Sequence, residues 1–343
     1  MQTQITTTVM GSYPQPGWLV DRDHLIGKGV PRVRANDLWK VAEQDLSEAV
    51  EAATLVAIAD QEAAGVDIIT DGEIGRESYF NHFANSLGGV DQDQIGTGIN
   101  RVGTKSKVPL VNGPIERQAP IELESARFLR AHTTHRTKVT VPGPFTLSQL
   151  AQNDYYPDQR SLAMAYAAAV RAELLDLQAA GIDMLQIDEP YMQANADAAR
   201  EFAVEAIAMA LEGVEAPTTV HTCYGYAQYV KDKSIGYPFF TELAQIPADF
   251  IAIETAQPDL APSVVAELAP RGVVMGVLDL STNEIEQPEQ IASRIRSAIE
   301  YIAPESLSVS PDCGLKFLPR PIAQRKMAAM VEGASIVRAE LGG

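Results

Sequence analysis

The sequence predicts a single (β/α)8 barrel, and three observations support this fold class. Eight short apolar runs alternate with longer segments rich in Ala, Glu and Leu, the order expected of parallel strands separated by helices. The chain has 343 residues, which is enough for a barrel of about 250 residues with insertions. The main alternative is an open doubly wound sheet, and the sequence lacks the Gly-rich phosphate loop that is typical of that fold.

Each predicted strand ends in polar or turn-forming residues. The strands are predicted at residues 6–10, 66–70, 138–141, 184–187, 218–220, 250–253, 273–277 and 307–309. The clearest helices are predicted at residues 38–64, 162–180, 196–211 and about 320–341. Residues 88–130 have weak periodicity and many Gly and polar residues, so we predict an insertion, with room for a hairpin, after the second strand. Residues 1–343 are predicted to form one domain.

The composition argues against nucleic acid and anionic membranes as partners. Acidic residues outnumber basic ones by 45 to 27, giving a net charge of -18, whereas phosphate binding needs Lys and Arg in excess. Residues 1–11 lack the basic and apolar regions of a signal peptide, and the apolar runs are too short to span a bilayer. Two cysteines do not suggest a disulfide scaffold, so we predict a cytoplasmic enzyme.

Several chemically versatile side chains directly follow the predicted strands. They are Ser12, Glu73, Asp188, His221, Cys223, Glu254 and Cys313. The carboxyl ends of all the strands of a barrel share one rim, and active sites lie at that rim. The sequence therefore predicts that these residues converge on one site.

The residue types at this rim predict a zinc site. His221 and Cys223 are two residues apart on an extended segment, so their side chains point the same way. Cys313 follows another strand and returns to the same rim. A buried cysteine is usually only a small apolar residue, but both cysteines of this chain follow strands, one of them beside a histidine. One imidazole and two thiolates suit catalytic zinc with an open fourth position, where Glu254 is a plausible weak ligand.

Two thiolate ligands indicate which chemistry such a zinc ion would support. They make the metal electron-rich, so it is better suited to lowering the pKa of a third thiol than to activating water. A zinc hydrolase more often uses histidine and carboxylate ligands, and a structural zinc site usually has four closed ligands. The pattern therefore favours alkyl transfer to a thiol.

With these motifs in place, the sequence resembles the C-terminal catalytic barrel of the cobalamin-independent methionine synthase family. The resemblance extends in the same order over nearly the whole chain, and the pairing of His-x-Cys with Pro-Asp-Cys-Gly is its most specific part. The matching stretches are Gly11-Ser12-Tyr13-Pro14, Asp71-Gly72-Glu73, Ile187-Asp188-Glu189-Pro190, His221-Thr222-Cys223-Tyr224, Ile253-Glu254-Thr255 and Pro311-Asp312-Cys313-Gly314-Leu315-Lys316.

The resemblance implies a role for each site residue. It implies that zinc (Zn2+) is held by four ligands, namely His221, Cys223, Glu254 and Cys313. It also implies that the carboxyl groups of Glu73 and Asp188 act together on the ammonium group of homocysteine, while Met10 and the Ser12 backbone meet its carboxylate. The zinc-activated thiolate would then attack the carbon of a methyl donor.

Three departures from the family pattern concern that donor. The chain has no counterpart of the second, N-terminal barrel that helps hold folate. Ser281 stands where the family has a catalytic histidine, and Leu150 where it has a tryptophan that stacks on the pterin. These departures predict that free methyl-tetrahydrofolate is a poor donor and favour another, such as a corrinoid or other donor protein. The alternative is alkyl transfer to a different thiol, as in epoxyalkane:coenzyme M transferase.

Overall fold

The computed structural model describes residues 5–99, 105–231, 233 and 236–342. The strands in this part of the chain are β1 (Thr6–Thr7), β2 (Ile68–Ile69), β3 (Gly88–Ile99), β4 (Lys105–Glu116), β5 (Arg136–Pro142), β6 (Gln152–Asn153), β7 (Met184–Asp188), β8 (Thr218–Thr222), β9 (Phe250–Ile253), β10 (Gly272–Leu278) and β11 (Leu307–Pro311). None of the described helices is both long enough and apolar enough to cross a membrane.

The helices fill the intervals between most of these strands. They are α1 (Arg22–Lys28), α2 (Leu46–Ala63), α3 (Asn81–Ala84), α4 (Leu123–Ala131), α5 (Pro144–Gln149), α6 (Gln159–Ala179), α7 (Pro190–Ala194), α8 (Ala196–Ala198), α9 (Val204–Leu211), α10 (Phe240–Gln245), α11 (Pro288–Ile299) and α12 (Arg320–Glu340). A π-helical stretch, Ala199–Ala203, joins α8 to α9. Short 3-10 helices lie at Asn36–Leu38, Glu43–Asp45, Pro262–Leu268 and Pro304–Ser306.

Eight of the strands form one parallel sheet that closes on itself. Their spatial order is β1-β11-β10-β9-β8-β7-β5-β2, which follows the chain around the sheet. A parallel bridge between Thr8 and Ile68 joins β1 to β2 and completes the ring. Strands such as β7 and β10 are buried along their whole length, because side chains fill the barrel on one face and helices cover the other. The predicted (β/α)8 barrel is therefore confirmed.

One predicted helix begins later than expected, and one helix-sized segment of the predicted alternation forms a 3-10 helix. The helix predicted at residues 38–64 begins only at Leu46, because Trp39 is extended and pairs with Val20 in an antiparallel bridge. An extended residue cannot continue a helix, so the apolar side chains before Leu46 pack in a conformation that is not α-helical. Between β9 and β10, the helix-sized segment forms the 3-10 helix Pro262–Leu268 instead of an α-helix.

The predicted insertion at residues 88–130 contains two different structures. Strands β3 and β4 form an antiparallel hairpin, and β6 adds to it in parallel to make a three-stranded sheet. Helix α4, by contrast, packs near α2 and α6 and leads into β5 as a helix between barrel strands. The hairpin is therefore the part of this segment that departs from the alternation of strand and helix.

A repeated side-chain contact ties neighbouring strands together at the rim opposite the carboxyl ends, here called the lower rim. In each case, one aspartate oxygen accepts hydrogen bonds from both the backbone N–H and the Oγ1 of a threonine, at 2.7–2.9 Å. These Thr–Asp clasps are Thr7–Asp67, Thr137–Asp183 and Thr218–Asp249. The aspartate precedes the next strand, so each clasp fixes where that strand begins.

Candidate active site

A cavity of about 630 Å3 opens at the carboxyl ends of the barrel strands. Its size is within the range of pockets that enclose a small-molecule ligand. Seven of the eight site residues predicted from the sequence are buried and line this cavity: Met10, Ser12, Glu73, Asp188, His221, Cys223 and Cys313. The structure therefore brings these seven residues together at one rim.

Three of these residues form a compact cluster of potential metal ligands. Each of His221, Cys223 and Cys313 offers one ligand atom, and these atoms all lie within 4.8 Å of one another. The two Sγ atoms are 3.7 Å apart. Strand β8 supplies His221, Cys223 follows it directly, and the end of β11 presents Cys313. This arrangement of one imidazole and two thiols can hold a zinc ion with a further position left open.

The histidine of the cluster is oriented for metal binding. Its Nδ1 lies 2.9 Å from Asp188 Oδ1, which favours the tautomer with the proton on Nδ1. Its Nε2 is buried, and the described residues offer it no hydrogen-bond partner. A histidine that ligates a metal through one nitrogen commonly donates the other N–H to a carboxylate. His221 and Asp188 therefore fit a divalent cation between the imidazole and the two thiols.

The electrostatics of the cluster also favour a cation. Burial alone would lower the pKa of His221, but Cys223 and Asp188 outweigh it and raise that pKa to about 10. The pKa of Cys313 lies well above its usual value because of its hydrogen bond to Cys223 and its burial. Both shifts mean that negative charge here is unfavourable until a positive charge balances it, and a bound metal ion would supply that charge.

The structure does not bring Glu254 into this cluster. Glu254 is fully buried, yet it neither lines the cavity nor belongs to the three-ligand group. One carboxylate oxygen accepts from the Tyr224 N–H at 3.2 Å, and the other is ion-paired with the Lys233 ammonium group. Lys233 thus provides the countercharge that a metal would otherwise provide. The role of Glu254 as a fourth ligand stays a prediction.

The aspartate of the Pro-Asp-Cys-Gly motif has a structural role. Oδ1 of Asp312 accepts backbone hydrogen bonds from Thr255 and Ala256 at 3.1 and 3.0 Å, and Oδ2 accepts one from Gln257 at 2.6 Å. These bonds fix the loop that follows Glu254. Burial raises the pKa of Asp312 to about 6, while the three N–H donors favour its charged form.

Glu73 is held at the cavity wall by an unusual backbone conformation. Its φ is +51°, which is uncommon for a residue with a side chain, and its N–H donates to Asp71 Oδ1 at 3.0 Å. Its Oε1 accepts from Thr140 Oγ1 at 2.8 Å. Burial raises the pKa of Glu73 to about 7, with Asp188 adding to the shift and Arg76 opposing it. A nearby ammonium group would favour the charged form of this carboxyl.

A second acid of the cavity, Asp188, is connected to the segment that follows β1. The Nε2 of Gln186 donates to Asp188 Oδ1 at 2.7 Å and to the carbonyl oxygen of Met10 at 2.9 Å. Ser12 Oγ lies 3.2 Å from the Tyr226 hydroxyl. Gln186 was not singled out in the sequence. The position of Gln186, two residues before Asp188 on the same face of β7, is the signal that could have identified it.

Glycine at position 11 is required by the geometry around Glu73. Gly11 has φ +124°, and a Cβ there would lie 2.3 Å from Glu73 Oε1. We expect Gly11→Ala to displace the Glu73 carboxyl and to weaken amino-acid binding by at least about tenfold, since a charge-assisted hydrogen bond is lost. Calorimetric titration with methionine measures the effect. Gly17→Ala is the matched control, because a Cβ at Gly17 meets no atom within 4 Å. Equal affinities for the two variants would contradict this expectation.

The two positions that depart from the family pattern lie in different places. Leu150 lines the cavity, whereas Ser281 lies in the wall of a separate cavity of about 320 Å3. Tyr226 lines both cavities and so stands between them. The larger cavity is also lined by Arg32, whose guanidinium donates to the Tyr191 hydroxyl at 2.6 Å and to Ser106 of the hairpin at 2.7 Å.

Known proteins match this chain over nearly its whole length. Residues 5–336 match the protein family described as "Cobalamin-independent synthase, Catalytic domain". The methionine synthase of Sulfolobus acidocaldarius is 33% identical over 342 residues, which cover 99% of this chain and 94% of the relative. The methionine synthase of Thermococcus kodakarensis is 32% identical over 344 residues, covering 98% of this chain and 94% of the relative.

The fold also recurs in a solved structure. A B12-independent methionine synthase from Shewanella sp. W3-18-1, in complex with selenomethionine, superposes with a TM-score of 0.88 at 30% identity. The match covers 98% of this chain and 99% of that protein. A methyltransferase from Methanosarcina mazei, at 16% identity and a TM-score of 0.59, shares the fold alone.

Proposed function

The chain belongs to the cobalamin-independent synthase family, as a catalytic domain, and from this premise we propose that it methylates homocysteine to methionine through a zinc-activated thiol. It is an enzyme of the transferase class, and its named relatives are methionine synthases. The observation that carries the proposal is that one cavity is lined both by potential metal ligands and by two carboxyl groups. The His221, Cys223 and Cys313 cluster and the acids Glu73 and Asp188 line the same space.

The two acids suit the amino-acid part of the substrate. Glu73 and Asp188 are buried carboxyl groups at the same cavity wall, and burial together with the charge of Asp188 makes Glu73 costly to ionise unless a cation is present. We propose that they receive the substrate ammonium group, while the Ser12 backbone and Met10 receive its carboxylate. The Shewanella relative supports this assignment, because it was solved with selenomethionine, an amino acid of the same shape as the proposed product.

The metal cluster suits the sulfur end of the substrate. Zinc bound by His221, Cys223 and Cys313 would supply the positive charge that lowers the pKa of a substrate thiol. Asp188 accepts from the His221 Nδ1–H, which leaves Nε2 available for a metal ion. Because Asp188 also faces the cavity, it connects the amino-acid end and the sulfur end of the same substrate.

A direct test is the metal environment with and without substrate. The protein as purified is expected to carry about one zinc per chain, with two sulfur ligands by zinc-edge X-ray absorption. Homocysteine should add a third sulfur ligand to the zinc. Methionine has no thiol and should not add one. Full activity in the metal-free protein, or no added sulfur with homocysteine, would contradict the proposal.

The methyl donor is proposed to be a small molecule that enters the same cavity. At about 630 Å3, the cavity is larger than a small amino acid needs, and its lining also includes Arg32, Lys107 and Leu150. The family is defined by independence from cobalamin, so it gives no support to the predicted corrinoid donor.

Free methyl-tetrahydrofolate is nevertheless expected to be a poor donor. Its leaving nitrogen needs a proton, and among the described lining residues His221 is the sole histidine, already assigned to the metal. Ser281 and Leu150 replace the family's histidine and tryptophan, and Ser281 does not reach this cavity. Methionine formation is measured with methyl-tetrahydrofolate and with a more reactive methylating agent. Rapid zinc-dependent turnover with the folate alone would contradict this expectation.

A further inference from the structure

Two hydroxyl groups meet in the wall of the large cavity. Ser12 Oγ and the Tyr226 hydroxyl oxygen are 3.2 Å apart, and both residues line the cavity. Ser12 directly follows Gly11, where a Cβ would lie 2.3 Å from Glu73 Oε1. The chain at Ser12 therefore passes close to the carboxyl group that is proposed to bind the substrate ammonium. The function proposed above gives the Tyr226 hydroxyl no role.

The loop that follows β11 contacts both of these residues. The Leu315 N–H donates to the Ser12 carbonyl oxygen at 2.7 Å, which fixes the Ser12 backbone. A Cβ at Gly314 would lie 2.0 Å from Ser12 Oγ, so glycine there leaves the space that the Ser12 hydroxyl occupies. The Tyr226 ring packs edge-on against Phe317, with ring centroids 4.8 Å apart and an interplanar angle of 78°. One loop thus positions the two hydroxyl groups relative to each other.

The pair has one hydrogen-bond donor more than it can use internally. Each hydroxyl carries one proton, and only one of the two protons can be donated across the contact between Ser12 and Tyr226. Among the described residues, neither hydroxyl has another hydrogen-bond partner. Burial and the nearby Glu73 raise the pKa of Tyr226 well above its usual value, so its hydroxyl stays protonated at neutral pH. One O–H at the cavity wall is therefore available to an acceptor on the ligand.

We propose that the Tyr226 hydroxyl donates a hydrogen bond to the carboxylate of the amino-acid substrate while it accepts one from Ser12 Oγ. The carboxylate of an α-amino acid is bonded to the same carbon as its ammonium group. An ammonium group held by Glu73 and Asp188 therefore brings the carboxylate into the same part of the cavity. A carboxylate only accepts hydrogen bonds, so it matches the donor that the pair leaves unused.

This inference rests on the function proposed above and makes Tyr226 a determinant of substrate specificity. The metal cluster would recognise sulfur, and the two acids would recognise an ammonium group. A sulfur compound with an amine and no carboxylate would satisfy both of these sites. A hydrogen bond from Tyr226 adds a preference for ligands that also carry a carboxylate, which distinguishes an α-amino acid from the corresponding amine.

The experiment is calorimetric titration of the metal-loaded protein with L-methionine and with methylthiopropylamine, the decarboxylated analogue of methionine. Tyr226→Phe should bind methionine about tenfold more weakly than the wild type, because a hydrogen bond to a charged group is lost. It should bind the amine within about twofold of the wild type. The matched control is Tyr229→Phe. Tyr229 lines the same cavity and packs on the same Phe317 ring, but its hydroxyl donates to the carbonyl oxygens of Leu25 and Ile26. The control should match the wild type with both ligands.

A second variant separates loss of the donor from a general disturbance of the cavity. Ser12→Ala removes the hydroxyl that orients Tyr226, so it should weaken methionine binding by a smaller factor, about two- to threefold, and leave amine binding unchanged. If Tyr226→Phe does not fold, Ser12→Ala decides the question by the same comparison of ligands. Equal weakening for both ligands, or unchanged methionine affinity, would overturn the inference, as would a wild type that binds the amine as tightly as methionine. Failure of the wild type to bind methionine at all would instead overturn the proposed function.

Discussion

Replacing Cys223 or Cys313 by serine is expected to remove bound zinc and methyl transfer together. The two thiols and the His221 imidazole form the described cluster, so loss of one thiol leaves too few ligands to retain the metal. Zinc content, measured after dialysis, should fall from about one per chain to near zero, with activity reduced at least about a thousandfold by the loss of the activating charge. Both quantities are measured on the same preparations.

The fold should survive these substitutions, because the barrel has an extensive core of its own. Thermal unfolding of each variant checks this point. Thr222→Val is the matched control: Thr222 lies between two site residues on the chain, and its buried Oγ1 has no hydrogen-bond partner in the described structure. A serine variant that keeps both zinc and turnover would show that the cluster is not the metal site.

Asp188→Asn and Glu73→Gln are expected to weaken homocysteine binding by roughly 10- to 100-fold each, since a buried charge-assisted hydrogen bond contributes about 1.5–3 kcal/mol. The two variants should differ in metal affinity. Asp188 orients His221, so its replacement should also weaken zinc binding by about 10- to 100-fold, whereas Glu73 does not touch the cluster. Competition with a zinc chelator and calorimetry with homocysteine measure the two effects separately.

A thiol without an amino group provides the control for this pair of variants. Glu73→Gln should bind 2-mercaptoethanol as the wild type does, because that thiol has no ammonium group to lose a partner. Normal homocysteine binding in both variants would place the amino-acid subsite elsewhere and favour the alternative of a different thiol substrate.

Residues next to a strand end could be predicted from the sequence because the fold fixes their direction. The period-two alternation of a strand and the shared rim of a barrel brought Ser12, Glu73, His221 and Cys313 to one cavity, as the structure confirms. The helix predicted from residue 38 began late because one long-range bridge at Trp39 overrode the local periodicity. Such a contact leaves no local pattern in the sequence.

Glu254 shows what strand position alone could not establish. It directly follows β9, as predicted, but its carboxylate turns to Lys233 and to a backbone N–H instead of the cavity. Lys233 lies in a polar stretch of the sequence that carries no periodicity.

The three Thr–Asp clasps have a consequence for how this protein can change over time. Counted around the barrel, they join the first strand to the second, the third to the fourth, and the fifth to the sixth. Each of these strand pairs therefore has its own Thr–Asp clasp at the lower rim. Glu73, His221 and Cys313 lie at the other rim, at the carboxyl ends of the strands. Contacts that secure the folded state and contacts that select the substrate occupy opposite ends of the same strands. Substitutions in the upper loops would change which substrate is bound and leave the three clasps intact.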